Sequence, residues 1–299
     1  MSAFNRVLVT GLPAVPKAIV RRVASRYVAG ETLDDAVRVV RLLNQQGAMA
    51  TIDVLGEEVH ELGKATAAVE EYLHVFDAIA REGIDSNVSI KLTLLGLKID
   101  EGFCRDNVAR IAETAKRHGN FIRIDMEDST CTDATLRIYR ELQERYGNLG
   151  VVLQAYMRRT LSDIDGLPAE GANVRLCKGI YVEARRIAWK GHETVRANFV
   201  ATLEKLLARG VYVGVATHDE YLACRAVALI DRHGLEPRRY ELQMLLGVDE
   251  ELRRILIDAG HRLRVYVPYG RDWYPYSIRR LRENPEVARH VLKAMLKGR

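Results

Sequence analysis

The sequence predicts a (βα)8 barrel, an α/β fold of TIM type in which eight parallel strands close into a ring inside a shell of helices. Three observations lead there. Eight short β-branched or apolar runs recur between about Ala48 and Val267, separated by longer stretches with apolar residues at helical spacing. The first run ends Asp53-Val54-Leu55-Gly56-Glu57, and no G-x-G-x-x-G occurs anywhere, which sets aside the doubly wound sheet with its phosphate-binding turn. No linker or low-complexity stretch breaks the alternation. The 299 residues are therefore expected to form one domain. Residues 1–47 would be an N-terminal helical extension, 48–270 the barrel, and 271–299 an extra C-terminal helix contributing to the site.

Taken in order, the extension carries a helix over Asp34–Gln46, started by Thr32 and Asp35 at capping-box spacing. The strand candidates are Ala48–Leu55, Asn87–Thr93, Phe121–Met126, Val151–Tyr156, Asn173–Cys177, Val211–Ala216, Tyr240–Met244 and Arg262–Val267. Between them, Val69, Leu73, Phe76 and Ala80 mark one helical face. Val195, Phe199, Leu203 and Leu206 mark a second, and Leu222, Ala226, Leu229 and Ile230 a third. A last helix is expected at about Tyr274–Leu296.

Composition removes several functions. Apolar content of 48% and charged content of 28% belong to a globular chain, not a disordered one. No run approaches 18 apolar residues, so no transmembrane segment is expected. Asn5, Arg6 and Pro13 interrupt what a secretory signal would need. Cys104, Cys131, Cys177 and Cys224 have neither metal-ligand nor redox-motif spacing, which reads as a reduced, cytoplasmic setting. The net charge is +5, but the arginine pairs are scattered and not interleaved with aromatics, so no nucleic-acid partner is expected.

In a barrel, chemistry collects at the C-terminal ends of the strands. Those ends hold Lys91, Asp125, Gln154, Arg175, Lys178, His218 and Tyr266. Polar groups there are costly to bury without partners, so the ring is either a site or a salt-bridge network. Each member has a plain structural alternative. Lys91 could be a buried ion pair, Asp125 could neutralise Arg175, His218 could open a helix, and Arg279-Arg280 could be a solvated face. Their coincidence at one end favours a site. No H-x-H, H-E-x-x-H or G-x-S-x-G motif is present, so neither a catalytic metal nor a serine nucleophile is expected. An anionic substrate, and a cofactor that carries the difficult chemistry, suit what remains.

Several of these segments resemble the proline dehydrogenase family. They are Ser89-Ile-Lys91-Leu-Thr93, Ile124-Asp125-Met-Glu127, Arg175-Leu-Cys-Lys178-Gly179-Ile-Tyr181, Ala216-Thr217-His218-Asp219 and Tyr276-Ser-Ile-Arg279-Arg280-Leu-Arg-Glu283, spread from about Thr51 to Pro285. The resemblance implies a distorted barrel holding FAD at its mouth. It implies oxidation of L-proline to 1-pyrroline-5-carboxylate by hydride transfer to flavin N5, the first step of proline catabolism towards glutamate. A membrane quinone would take the electrons. The chain resembles the short monofunctional bacterial form, which lacks a fused aldehyde dehydrogenase, so a separate pyrroline-5-carboxylate dehydrogenase is a potential partner. Such an enzyme would be cytoplasmic, with peripheral contact at the inner face of the membrane.

Residue by residue, the resemblance places Asp125 and Arg175 in catalytic roles, with Arg175 at the N5 edge. Met126, Gln154, Arg175, Lys178, Gly179, Ile180, Thr217 and His218 would hold the cofactor. Lys91, Leu245, Tyr266, Tyr276, Arg279 and Arg280 would hold the substrate. A tyrosine at position 266 goes with preference for proline over hydroxyproline in the family. Cys177, Ile180 and Leu246 depart from its commoner residues. Two other classes stay open. One is a Schiff-base lyase or aldolase using Lys91 or Lys178 as the amine nucleophile. The other is a non-catalytic ligand-binding barrel.

Overall fold

A computed structural model of the chain describes residue 21, residues 24–56 and residues 58–283, with the last five of these by backbone alone. The element order is α1 (Leu33–Gln45), β1 (Met49–Val54), α2 (Leu62–Glu82), β2 (Ser86–Ile90), α3 (Glu101–Arg117), β3 (Ile122–Ile124), α4 (Thr132–Tyr146), β4 (Leu149–Gln154), α5 (Thr160–Asp163), β5 (Asn173–Cys177), α6 (His192–Ala208), β6 (Tyr212–Ala216), α7 (Glu220–Arg232), β7 (Tyr240–Leu245), α8 (Glu250–Asp258), β8 (Leu263–Tyr269) and α9 (Trp273–Glu283). The strands pair in sequence order into a closed barrel. Every pairing is parallel, and β8 returns to β1 in the register Thr51↔Tyr266 and Val54↔Tyr269. Parallel strands are covered on both faces, and accordingly β1, β2, β3 and β4 are buried along their whole lengths.

The expected capping box is formed. Thr32 accepts from the Asp35 amide at 3.3 Å and the Asp35 carboxylate accepts from the Thr32 amide at 3.2 Å. The same economy of side-chain caps opens α3, where Asp100 accepts from the Phe103 amide at 2.6 Å.

Several expected boundaries shift. The second strand stops at Ile90 and not Thr93. Lys91 to Thr93 are buried in a turn, and an apolar buried turn has the same pattern as a buried strand. The third shrinks to three residues, although the Asp125 amide still donates to the Ile90 carbonyl at 2.9 Å. On α2 the buried face is Val69, Tyr72, Val75, Phe76 and Ile79. Ala80 faces solvent, because larger apolar side chains one position away take the core face. The expected last helix is described only as Trp273–Glu283, and its remainder lies outside the described residues.

Both ends of the described chain meet at the C-terminal end of the barrel. The Ala29 amide donates to the Pro268 carbonyl at 2.9 Å and the Gly270 amide to the Gly30 carbonyl at 3.0 Å. Tyr276 of α9 packs on Val28, Leu55 and Trp273. The opposite end is closed by buried charge, with Arg264 Nε donating to both oxygens of Glu241 at 2.9 and 3.0 Å.

Candidate active site

A cavity of about 280 Å³ opens at the C-terminal ends of the strands. Its wall contains Lys91, Asp125, Met126, Gln154, Arg175, Lys178, Gly179, Ile180, Thr217, His218, Leu245, Tyr266 and Tyr276. Thus every expected site residue with a described side chain reaches one space. The side chains of Arg279 and Arg280 lie outside the described residues, although the backbone of α9 runs through both positions.

The centre is built from β5, β8 and the residue that follows β3, with support from β2 and β7. Arg175 leaves β5 inward and is almost fully buried. Its Nη1 donates to Asp125 Oδ1 at 2.7 Å and to Ser89 Oγ at 3.1 Å, and its Nε donates to Gln243 Oε1 at 2.5 Å. Tyr266 of β8 donates its hydroxyl to the other oxygen of Asp125 at 2.7 Å. Its ring lies 5.2 Å from the guanidinium carbon of Arg175. Asp125 is therefore gripped by a cation on one oxygen and a phenol on the other. Burial, with the negative charge of Asp125 beside it, holds the Tyr266 hydroxyl well above its ordinary pKa. The phenol stays a donor throughout the neutral range.

On the β1–β2 side Lys91 forms a buried ion pair with Asp53. Burial raises the Asp53 carboxyl, against the pull of Lys91 and with the help of Asp125. Beyond Lys91, Glu127 accepts from the amide and hydroxyl of Thr93 at 3.0 and 2.5 Å.

The opposite rim follows β5 and β6. Gly179 has φ 102, and a Cβ there would come within 2.2 Å of the Tyr156 ring, so only glycine lets the chain pass this close. Lys178 Nζ reaches Asp219 Oδ2 at 3.2 Å, while Arg196 grips both oxygens of Asp219 at 2.9 and 2.8 Å. Burial pushes Asp219 up, but the two cations prevail and hold it at about 2. Thr217 Oγ1 accepts from the Asp219 amide at 3.0 Å. His218 Nε2 accepts from the Leu245 amide at 2.7 Å, which leaves the ring proton on Nδ1 and ties β6 to the end of β7.

Gln154 stands out. Its Nε2 donates to the Met126 carbonyl at 3.2 Å, and its buried Oε1 has no hydrogen-bond partner among the described residues. A buried acceptor left open in a cavity wall is an acceptor for a ligand donor.

Asp53, Asp219 and Gln243 were not among the expected site residues. Asp53 and Gln243 carry the same signal as the others, a polar side chain late in a buried strand. Asp219 follows His218 and reads from sequence as an ordinary helix start. Among the described residues no cluster of His, Cys, Asp or Glu could hold a metal ion, and no helix is long and apolar enough to cross a membrane.

A closed parallel barrel, with charged side chains of both signs around a cavity at the strand C-termini, defines the (βα)8-barrel enzymes. The mixed signs suit a small zwitterion. The sequence profile described as proline dehydrogenase matches residues 36–293. The chain is 38% identical over 274 residues to proline dehydrogenase 1 of Bacillus subtilis subsp. natto, covering 92% of this chain and 91% of that one. It is 38% identical over 280 residues to proline dehydrogenase of Deinococcus radiodurans, covering 92% and 90%. Among solved structures, proline utilization A from Bdellovibrio bacteriovorus, inactivated by N-propargylglycine, superposes with a TM-score of 0.84 at 22% identity. That match covers 92% of this chain and 36% of the larger protein, and it shows the shared fold. The chain belongs to the proline dehydrogenase family, and it is an oxidoreductase of proline catabolism.

Proposed function

We propose that this chain oxidises L-proline to 1-pyrroline-5-carboxylate in the barrel mouth, with FAD as the resident flavin and a membrane quinone as the next electron acceptor. The observation that carries the proposal is the hydrogen-bonded series Arg175–Asp125–Tyr266 on the cavity wall, in a chain of this family. The whole chain, 1–299, would work as one barrel domain, at a cytoplasmic location with peripheral contact at the membrane.

The residues present fit a flavin. The open Oε1 of Gln154 matches a ring N–H donor, and Gly179 gives a close, side-chain-free approach. Both groups line the same cavity of about 280 Å³. Met126, Gln154, Arg175, Lys178, Gly179, Ile180, Thr217 and His218 would hold the cofactor. When bound, the flavin supplies the hydride acceptor at N5.

The chain's own residues would do the rest. Lys91, Arg279 and Arg280 would bind the proline carboxylate, each charged hydrogen bond being worth about 1.5–3 kcal/mol. Leu245, Tyr266 and Tyr276 would close over the pyrrolidine ring and exclude water. Lys91 and Arg175 are each balanced by a carboxylate, Asp53 and Asp125. The excess positive charge that disfavours a protonated ring nitrogen, and helps the substrate give up its proton before C5 is oxidised, would therefore come from Arg279 and Arg280. Arg175 also favours arrival of an electron pair beside it. Asp125 would hold Arg175 and Tyr266 in register for this. The product is a substrate for a separate pyrroline-5-carboxylate dehydrogenase, the expected partner.

The purified protein tests this directly. It is expected to be yellow, to release FAD on denaturation as identified by mass, and to reduce a soluble quinone analogue when given L-proline. A colourless protein trapped covalently by borohydride and a carbonyl compound would instead establish a Schiff-base lysine.

A further inference from the structure

Arg175 sits at one end of a hydrogen-bonded line that runs through the interior of the barrel to its other end. Its Nε donates to Gln243 Oε1 at 2.5 Å, and Gln243 Nε2 donates to Glu241 Oε1 at 2.5 Å. Glu241 is held by Arg264 Nε at 2.9 and 3.0 Å and by the Tyr212 hydroxyl at 3.0 Å. Strand register places these residues side by side, with Arg175↔Gly214, Gly214↔Glu241 and Gln243↔Arg264.

From this we infer that Gln243 is a positioning residue for Arg175, and that Glu241 fixes which way Gln243 faces. An amide can present either its oxygen or its nitrogen to a neighbour. Glu241 removes the choice. Burial pushes its carboxyl up, but Arg264 and then Arg123 hold it ionised, at about 2. An ionised carboxylate only accepts, so the NH2 group must face Glu241 and the oxygen must face Arg175. A flipped amide would put N–H against N–H at Arg175 and oxygen against oxygen at Glu241.

The sequence makes room for this arrangement. Gly214 lies in the middle of β6, where glycine weakens a strand. A Cβ at that position would lie 2.3 Å from Gln243 Nε2. The amide thus occupies the space of the missing side chain. With Nε fixed on Gln243 and Nη1 on Asp125 and Ser89, the Arg175 guanidinium is anchored at two positions along its edge. Two anchors set the face that the guanidinium turns to the cavity, and one would let it pivot.

The inference rests on the flavin reading above, and its test separates the two. Gln243→Met keeps the length of the side chain and removes both bonds. It is expected to fold with wild-type circular dichroism and to bind FAD. Its rate of flavin reduction by proline should fall about 10- to 150-fold, the worth of a hydrogen bond to a charged group. The flavin midpoint potential should move, and the proline KM should stay within about 3-fold, because the carboxylate clamp is elsewhere. Gly214→Ala, which displaces the amide without removing it, should shift rate and potential in the same direction by less, and it decides the matter if Gln243→Met does not fold. A folded Gln243→Met enzyme with wild-type rate and potential would overturn the inference, as would Gly214→Ala with both unchanged. Failure of the wild-type protein to bleach with proline would instead overturn the flavin reading itself.

Discussion

Replacing Tyr266 separates the two things it does in the structure. Its hydroxyl donates to Asp125 Oδ2 at 2.7 Å, and its ring lies 5.2 Å from the guanidinium carbon of Arg175. Tyr266→Phe removes only the first. One hydrogen bond to a charged group is worth about 1.5–3 kcal/mol, and each 1.36 kcal/mol is about a decade in rate. If the whole bond counts at the transition state, kcat/KM for proline falls about 10- to 150-fold. Because burial and Asp125 keep the phenol protonated well above its ordinary range, the ratio of wild type to variant should be flat between about pH 6 and 9. Tyr266→Ser removes the ring as well. A 4-hydroxyl pressed on that ring has no partner, at about 1–3 kcal/mol, or one to two decades. L-proline should therefore be preferred over trans-4-hydroxy-L-proline by the wild type and by Tyr266→Phe, while Tyr266→Ser narrows the gap mainly by weakening proline. Steady-state kinetics of the three proteins with both amino acids gives all these ratios. Equal kcat/KM for the two substrates in the wild type would refute the steric argument, and a Tyr266→Phe enzyme as fast as wild type would refute the role of the hydroxyl.

Other consequences are simpler. Arg280→Met should raise the proline KM strongly at unchanged FAD content, since a bidentate fork cannot be replaced by a thioether; normal proline affinity would remove α9 from the site. Gly179→Ala should lower FAD occupancy and loosen the rim, because the new methyl meets the Tyr156 ring at 2.2 Å; full occupancy on purification would contradict that. The Asp219 carboxyl is held at about 2 against an ordinary 3.8. Its contribution to stability is thus complete above about pH 4 and is lost as pH falls towards 2. Urea unfolding between these limits should show a shallower decline for Asp219→Asn than for wild type, and parallel curves would show that the pairing with Lys178 and Arg196 adds nothing.

Much of this was legible in the sequence, for identifiable reasons. A parallel strand is buried on both faces, so eight β-branched runs stand out from amphipathic helices. Any polar residue at a strand C-terminus then stands out from the run. That signal leads to Arg175, Asp125, Gln154 and Tyr266. It also falls on Asp53 and Gln243, but what they do depends on who sits opposite. Asp53 pairs with Lys91, 38 positions along the chain, and Gln243 with Arg175, 68 positions away. Those partners are set by the stagger of the barrel, which no local pattern encodes. The gap at Gly214 is similar. In sequence it is a glycine inside a valine-rich strand, and only the neighbouring strand shows that it makes space for an amide. Strand β2 is shorter than its buried run because Lys91, Leu92 and Thr93 are buried without being strand, and burial alone does not distinguish turn from strand.

If proline gives two electrons to a flavin held in this cavity, anaerobic titration of the purified protein with L-proline, followed in the visible spectrum, will show it. The expected result is loss of the flavin absorbance in the blue, with pyrroline-5-carboxylate formed in proportion to the flavin reduced and the colour restored on adding a quinone. A flavin band that proline leaves unchanged, in protein that is folded and fully loaded, would contradict it.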